Sequence, residues 1–238
     1  MKFCTPTRTQ CERADQTRAR ILAAATRQFS ENGLAGARTE TIAEAAGVNK
    51  ALLYYYFQSK EKLYAAAMES AFEEVRLDTE AILSAETSVG ERLVQMNLNN
   101  FDRSYARPAM RTLMQQEMVR LHEGDENQLA GMARKFFRPL WVMIHELLKE
   151  GIASGELIAV DPQQIRYASL GANVFYFLTA PLTKLAFDIN PMEKSALEYR
   201  RQAVVEYLGQ AIFVDREHGA RVAARVLANT PMPPIDKD

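Results

Sequence analysis

Apolar residues recur at intervals of three and four along most of the chain, and runs of strict alternation are scarce. That period predicts helices throughout and an all-α fold. Ile21, Leu22, Ala25 and Phe29 mark one face of a first helix, capped by Asp15 and stopped at Gly33. A polar, mobile arm over 1–13 precedes it. Two short helices are predicted over 39–46 and 50–57, separated at Gly47, and Ser59 caps a longer one over 59–84. Further helices follow over 89–105 and from Pro108 to 121, then a polar break over 122–127. A helix over 128–153 contains Pro139, which kinks or splits it. Asp161-Pro162 opens a helix to 179, a loop covers 181–191, and a helix over 192–214 aligns Leu197, Val204, Leu208 and Ile212. Val222, Val226 and Leu227 support one or two amphipathic turns before the prolines at 231, 233 and 234. Four segments result: an N-terminal arm (1–13), a three-helix domain (14–62), a larger helical body (63–214) and a C-terminal tail (215–238).

The two short helices carry the most information. Their tight junction at Gly47-Val48-Asn49 is the layout of a helix-turn-helix. Ile42, Ala45, Ala46 and Val48 are small or apolar, as a close crossing requires. Leu53 and Phe57, four apart, dock the second helix inward on Phe29, which leaves Lys50, Ala51, Tyr54 and Tyr55 outward, toward a major groove. Tyr54, Tyr55 and Tyr56 diverge by about 100° per residue, so one face cannot bury all three. Phosphate oxygens are good acceptors for such phenols; an aromatic cluster against the next helix is the alternative.

Charge sharpens this picture slightly. The net charge is −1 over 238 residues, but 1–60 carries nine Lys/Arg against five acids, hence +4 there and −5 on the rest. A basic module on an acidic body suits a polyanion partner, although chance clustering on a solvated face gives the same numbers. Apolar residues at 47% and charged ones at 25% are the balance of a soluble chain with a core. Cys4 and Cys11 have no ligand-spaced histidine, so no metal site is expected, and they fit a reducing compartment. Met1 to Arg20 lacks the apolar core of a secretory signal. The most apolar stretch, 168–182, is interrupted by Ser169, Asn173, Thr179 and Pro181 and falls short of a membrane span. A cytoplasmic protein is expected.

The string Gly47-Val48-Asn49-Lys50-Ala51-Leu52-Leu53-Tyr54-Tyr55-Tyr56-Phe57-Gln58-Ser59-Lys60-Glu61-Lys62-Leu63, with Ile21 to Phe29 ahead of it, resembles the DNA-binding domain of the TetR/AcrR family of repressors. The resemblance covers roughly the first quarter of the chain. It implies that Thr39 bonds a phosphate, that Lys50, Ala51 and Tyr54 read bases, and that Tyr55, Tyr56 and Lys60 clamp the backbone. Arg38 and Asn49 complete the DNA-facing set. Leu52 departs from the small hydroxyl residue common at its position, which removes one expected contact. Glu40 sits where a base-reading side chain occurs; it either accepts from a cytosine amino group or is solvated.

The resemblance further implies a helical ligand-binding and dimerisation domain, a homodimer on a palindromic double-stranded operator, and a small, largely apolar effector that releases the repressor. The helices over 162–179 and 192–214 have apolar faces suited to a four-helix bundle with a second copy, and equally to ordinary core. Pocket candidates are Phe101, Tyr105, Met110, Met114, Met118, Phe137, Trp141, His145, Phe175 and Tyr176, each of which also reads as core. His122 and His145 fit satisfied or exposed histidines better than ligands. Without a phosphate loop, nucleophile elbow or Cys/His cluster, the chain is not expected to be an enzyme or to need a cofactor. A repressor without an effector is the other reading; the long body argues against it.

Overall fold

The computed structural model describes residues 8–122 and 129–235. These residues form helices, with one isolated bridge between Leu157 and Phe213. The expected all-α fold is therefore the fold observed. Two compact units divide the chain: Met1–Glu74 with Ala109–Met132, and Val75–Pro108 with Ala133–Lys237.

The first unit holds α1 (Arg8–Gly36), α2 (Thr39–Ala45), α3 (Lys50–Phe57), the start of α4 (Lys60–Leu83), most of α6 (Pro108–His122) and α7 (Leu129–Met132). Residues 8–13, expected as an arm, belong to α1; residues 1–7 lie outside the described ones. Arg, Gln and Glu, which make up most of residues 8–13, are good helix formers but give no apolar period to find. Gly33, at φ 65°, breaks α1 where a stop is predicted, and a further turn runs to Gly36. Ile21, Phe29, Ile42, Leu53, Leu63 and Tyr64 are fully buried in this unit. Phe29 meets Tyr64 edge-on with ring centroids 4.9 Å apart. The Tyr64 hydroxyl donates to Glu117, which also receives Arg120 at 3.0 Å, and Gln116 Nε2 donates to the Ser30 carbonyl at 2.9 Å. These bonds bring α6 onto α1 and α4.

The second unit packs α5 (Val89–Ala106), α8 (Arg138–Ala153), α9 (Pro162–Phe187), α10 (Lys194–Ala211) and α11 (Arg216–Asn229). Pro139 splits the helix predicted over 128–153: it stands in the first turn of α8, behind a π-helical turn over Ala133–Phe137. The polar break over 122–127 falls almost entirely outside the described residues.

Two further boundaries differ from expectation, both in the second unit. α9 does not end near 179 but runs through Pro181 to a left-handed Asp188. Pro181 is exposed and lacks the N–H that would donate to the carbonyl four residues back, yet the helix continues through it. The tail contains a full helix, α11, capped by Asp215, whose side chain accepts from the backbone N–H of Glu217 and His218 at 2.9 and 3.1 Å. Glycines let α11 lie against α10: a Cβ on Gly209 would stand 2.6 Å from the Gly219 carbonyl oxygen. Val222, Ala223 and Val226 of α11 are buried in a core shared with Leu93, Val94, Leu98, Ile144, Leu148 and Val205.

Candidate nucleic-acid interface

The turn between α2 and α3 is fixed locally. Val48 N–H donates to the Ala43 carbonyl at 2.9 Å and Gly47 N–H to that of Glu44 at 3.0 Å, with Gly47 at φ 66°. This paired closure needs the left-handed glycine. Asn49 then caps α3, its side chain accepting from Leu52 N–H at 2.8 Å. Leu53 and Phe57 are buried, and Arg18 lies over the Phe57 ring at 5.5 Å.

The outward face of α3 carries Lys50, Ala51 and Tyr55, all exposed, while Tyr54 and Tyr56 are half-buried. Tyr55 is 79% exposed, the largest aromatic surface on this helix. It meets Tyr56 edge-on at 5.6 Å. Arg38, exposed, precedes α2 without a side-chain cap bond.

Five of the residues expected at DNA, Thr39, Asn49, Lys50, Tyr54 and Lys60, already hold protein partners. Thr39 is buried, its Oγ1 3.2 Å from the Tyr54 hydroxyl. Asn49 spends its carbonyl on the α3 cap. Lys60 donates to the carbonyls of Ala35 and Ala37, at 3.1 and 3.4 Å, closing the link between α1 and α2. Lys50 forms an ion pair with Glu40 and lies over the Tyr54 ring at 5.8 Å. The Lys50 hydrogen bond holds the Glu40 carboxyl below the usual carboxylate range, and the same bond raises the Lys50 ammonium.

The pocket candidates separate. Phe101 and Tyr105 are buried with Phe177 and Leu197, and Tyr176 packs against them. The Tyr176 hydroxyl donates to the Pro191 carbonyl at 2.6 Å, and Arg200 lies over its ring at 5.3 Å. Phe137 meets Trp141 at 6.1 Å, with the Arg166 guanidinium 4.4 Å over the Trp141 ring. His145 is half-buried on α8, whereas Phe175 is 65% exposed on α9. Met110, Met114 and Met118 belong to the first unit, the last of them exposed.

A buried polar layer went unnoticed in the sequence. Asn173 Nδ2 donates to the Asn97 carbonyl and to Asn100 Oδ1, each at 3.1 Å, and Asn97 Nδ2 to the Ser169 carbonyl at 3.0 Å. Asn173 Oδ1 is buried with no hydrogen-bond partner. Beside this layer the Arg201 guanidinium grips Asp102 at 2.7 and 2.8 Å and donates to the Thr230 carbonyl at 2.7 Å. Its signal in the sequence is asparagine on otherwise apolar helix faces. A small cavity of about 20 Å³ is lined by Leu93, Met96, Asn97, Ile144, Ile165 and Ser169 among others, room for roughly one water.

Among the described residues no group of three or more His, Cys, Asp or Glu gathers to hold a metal. The side chains of Cys4, Cys11 and His122 lie outside the described residues. No helix described is long and apolar enough to cross a membrane.

Residues 21–67 match the family of bacterial regulatory proteins named for TetR, and residues 86–218 match the tetracycline repressor-like C-terminal domain. The transcriptional repressor NicS of Pseudomonas putida is 43% identical over 63 residues, 26% of this chain and 30% of its own length. The transcriptional regulator RutR of Escherichia coli is 56% identical over 48 residues, 20% of this chain and 23% of its own. These alignments thus span under a third of either relative. The structure of the regulator FadR from Bacillus subtilis in complex with stearoyl-CoA superposes with a TM-score of 0.58 at 21% identity, over 76% of this chain and 96% of that one. That likeness concerns the fold. With both family models matched in order, and the second alone covering more than half of the sequence, the chain belongs to the TetR family of bacterial regulatory proteins, a family of regulators and not of enzymes.

Proposed function

We propose that this protein is a cytoplasmic, homodimeric repressor that reads a palindromic operator with α3 and leaves it when a small, largely apolar effector enters the second unit. The observation that carries the DNA reading is the division of α3. Leu53 and Phe57 are buried, so Lys50, Ala51, Tyr54 and Tyr55 form the face offered to a major groove. Tyr55, Tyr56 and Arg38 supply backbone contacts around it. Thr39, Asn49 and Lys60 act mainly by holding the reading face in place.

A second copy is supported by α9. Tyr167, Val174, Phe175, Leu178, Leu182 and Leu185 fall on one helical stripe and are all more than half exposed. Tyr199 and Tyr207 of α10 are equally open. Solvated apolar stripes of this length mark interaction surfaces, and two helices from each copy make a four-helix bundle. Phe175 therefore serves the dimer and not the pocket.

The effector reading rests on the aromatic cluster of Phe101, Tyr105 and Tyr176 and the neighbouring asparagine layer. FadR of Bacillus subtilis, of the same fold, holds stearoyl-CoA, which supports a lipophilic ligand here. The cavity of about 20 Å³ beside the asparagine layer is too small for one, so a lipophilic effector bound at that layer selects an opened form of the body. A hundredfold loss of operator affinity requires about 3 kcal/mol of preference for that form.

Selection of bound duplexes from random DNA tests the reading. A palindrome with half-sites about one helical turn or a multiple apart is expected; the absence of any enriched sequence contradicts it. Release of the selected duplex by a lipophilic compound then tests the effector.

A further inference from the structure

Glu40 of α2 and Lys50 of α3 stand at the centre of the outward face, joined to each other and to two neighbours. Lys50 Nζ donates to Glu40 Oε1, and Thr39 Oγ1 donates to Glu40 Oε2 at 3.4 Å. Thr39 Oγ1 in turn lies 3.2 Å from the Tyr54 hydroxyl, and Lys50 lies over the Tyr54 ring at 5.8 Å. The contacts close a ring of four side chains across the helix-turn-helix.

Stability does not account for this arrangement. The Glu40 and Lys50 side chains are 63% and 52% exposed, and exposed pairs contribute little. The two helices are already locked by Ile42, Leu53 and Phe57. A carboxylate on a DNA-facing surface also repels phosphates and cancels the cation beside it.

We propose, resting on the DNA-binding reading above, that Glu40 and Lys50 form one specificity unit: Glu40 withholds Lys50 from phosphates on random DNA, and at the operator the two read a G·C pair together, Lys50 on guanine O6/N7 and Glu40 on the cytosine amino group. A lysine donor and a carboxylate acceptor, held at bonding distance from one another, match an acceptor and a donor side by side on a base-pair edge. The Thr39 hydroxyl, itself fixed by Tyr54, sets the second carboxylate oxygen, so the unit meets DNA already oriented. Random DNA offers Lys50 phosphate contacts only at the expense of stranding Glu40 beside them. A G·C edge satisfies both.

The test uses the full-length protein with its selected duplex and a random duplex, titrated at several salt concentrations, and repeats the selection with Glu40→Gln. The variant frees one cation, so its affinity for random DNA rises and its slope of log K against log salt steepens by about 0.9. Its preference for G·C at one position in each half-site falls roughly tenfold. Lys50→Met loses the same preference, and the double variant loses no more than either single one. An unchanged base preference in Glu40→Gln overturns the unit, whether or not the salt slope moves. A wild-type protein with no preferred duplex is a separate result, seen before any variant is made; it contradicts the DNA-binding reading and this inference with it.

Discussion

The Tyr54 hydroxyl lies 3.2 Å from Thr39 Oγ1, so the helix that faces outward is bonded, at its centre, to the first residue of the helix behind it. Thr39 is buried, and this bond gives its hydroxyl a second partner beside the Glu40 carboxylate. Tyr54 thereby has two roles, a ring edge offered outward and a hydroxyl that fixes α2 to α3. Tyr54→Ala is expected to weaken binding to the selected duplex more than to random DNA, and Tyr54→Phe to retain most of the affinity while lowering stability by about 1 kcal/mol. Anisotropy titrations and thermal unfolding separate the two effects. An equal loss on every sequence for Tyr54→Ala refutes a base-reading role.

Lys60 donates to the Ala35 carbonyl in the last turn of α1 and to the Ala37 carbonyl just beyond it. Its ammonium holds the link between α1 and α2, and hydrogen bonds from a charged donor contribute roughly 1.5–3 kcal/mol. Lys60→Ala is expected to lower the unfolding free energy in urea by that order and to change the salt slope of DNA binding by less than one. A flattened slope with unaltered stability would return Lys60 to the phosphate backbone.

The Asp102–Arg201 pair is the most buried ion pair described, with each side chain 9% exposed. Burial pushes the Asp102 carboxyl up, and Arg201 pulls it only part of the way back. Arg201→Met leaves that carboxyl without its cation and is expected to cost about 3–5 kcal/mol. The double variant with Asp102→Leu should recover most of the loss. Urea denaturation of the three proteins checks it, and a double variant no more stable than Arg201→Met contradicts the assignment.

Burial, and then its hydrogen bond to Glu117, hold the Tyr64 phenol well above its ordinary value. The folded protein therefore keeps this proton at a pH where the unfolded chain has lost it. The stability this group contributes is complete below about pH 10 and declines as pH rises beyond it. Tyr64→Phe should show a shallower alkaline loss of helical ellipticity than the wild type. Identical alkaline transitions for the two proteins rule this out.

The helix-turn-helix was legible because its determinants are local. Leu53 and Phe57 are four residues apart, Gly47 closes the preceding helix, and Asn49 caps the next. What joins residues distant in sequence was not legible. The pairing of Glu40 with Lys50 depends on how two helices cross, and period analysis gives only which face each residue occupies. Tyr64 with Glu117, and Asn97 with Asn173, are farther apart still. The pocket candidates, chosen by size and type, divide between buried Phe101 and Tyr105 and exposed Phe175 and Met118, because type does not say which side of a helix meets a neighbour. α11 is longer than the one or two turns its apolar residues suggest, since its contact with α10 depends on Gly209 and Gly219, residues that lower helix propensity while permitting close approach.

Titration of the protein with its selected duplex and with a scrambled duplex of equal length, near physiological salt, tests the central claim most directly. A reading face on α3 predicts a specific affinity at least a thousandfold tighter than that for the scrambled duplex, most of it lost in Tyr54→Ala. Equal affinity for both duplexes would contradict the account.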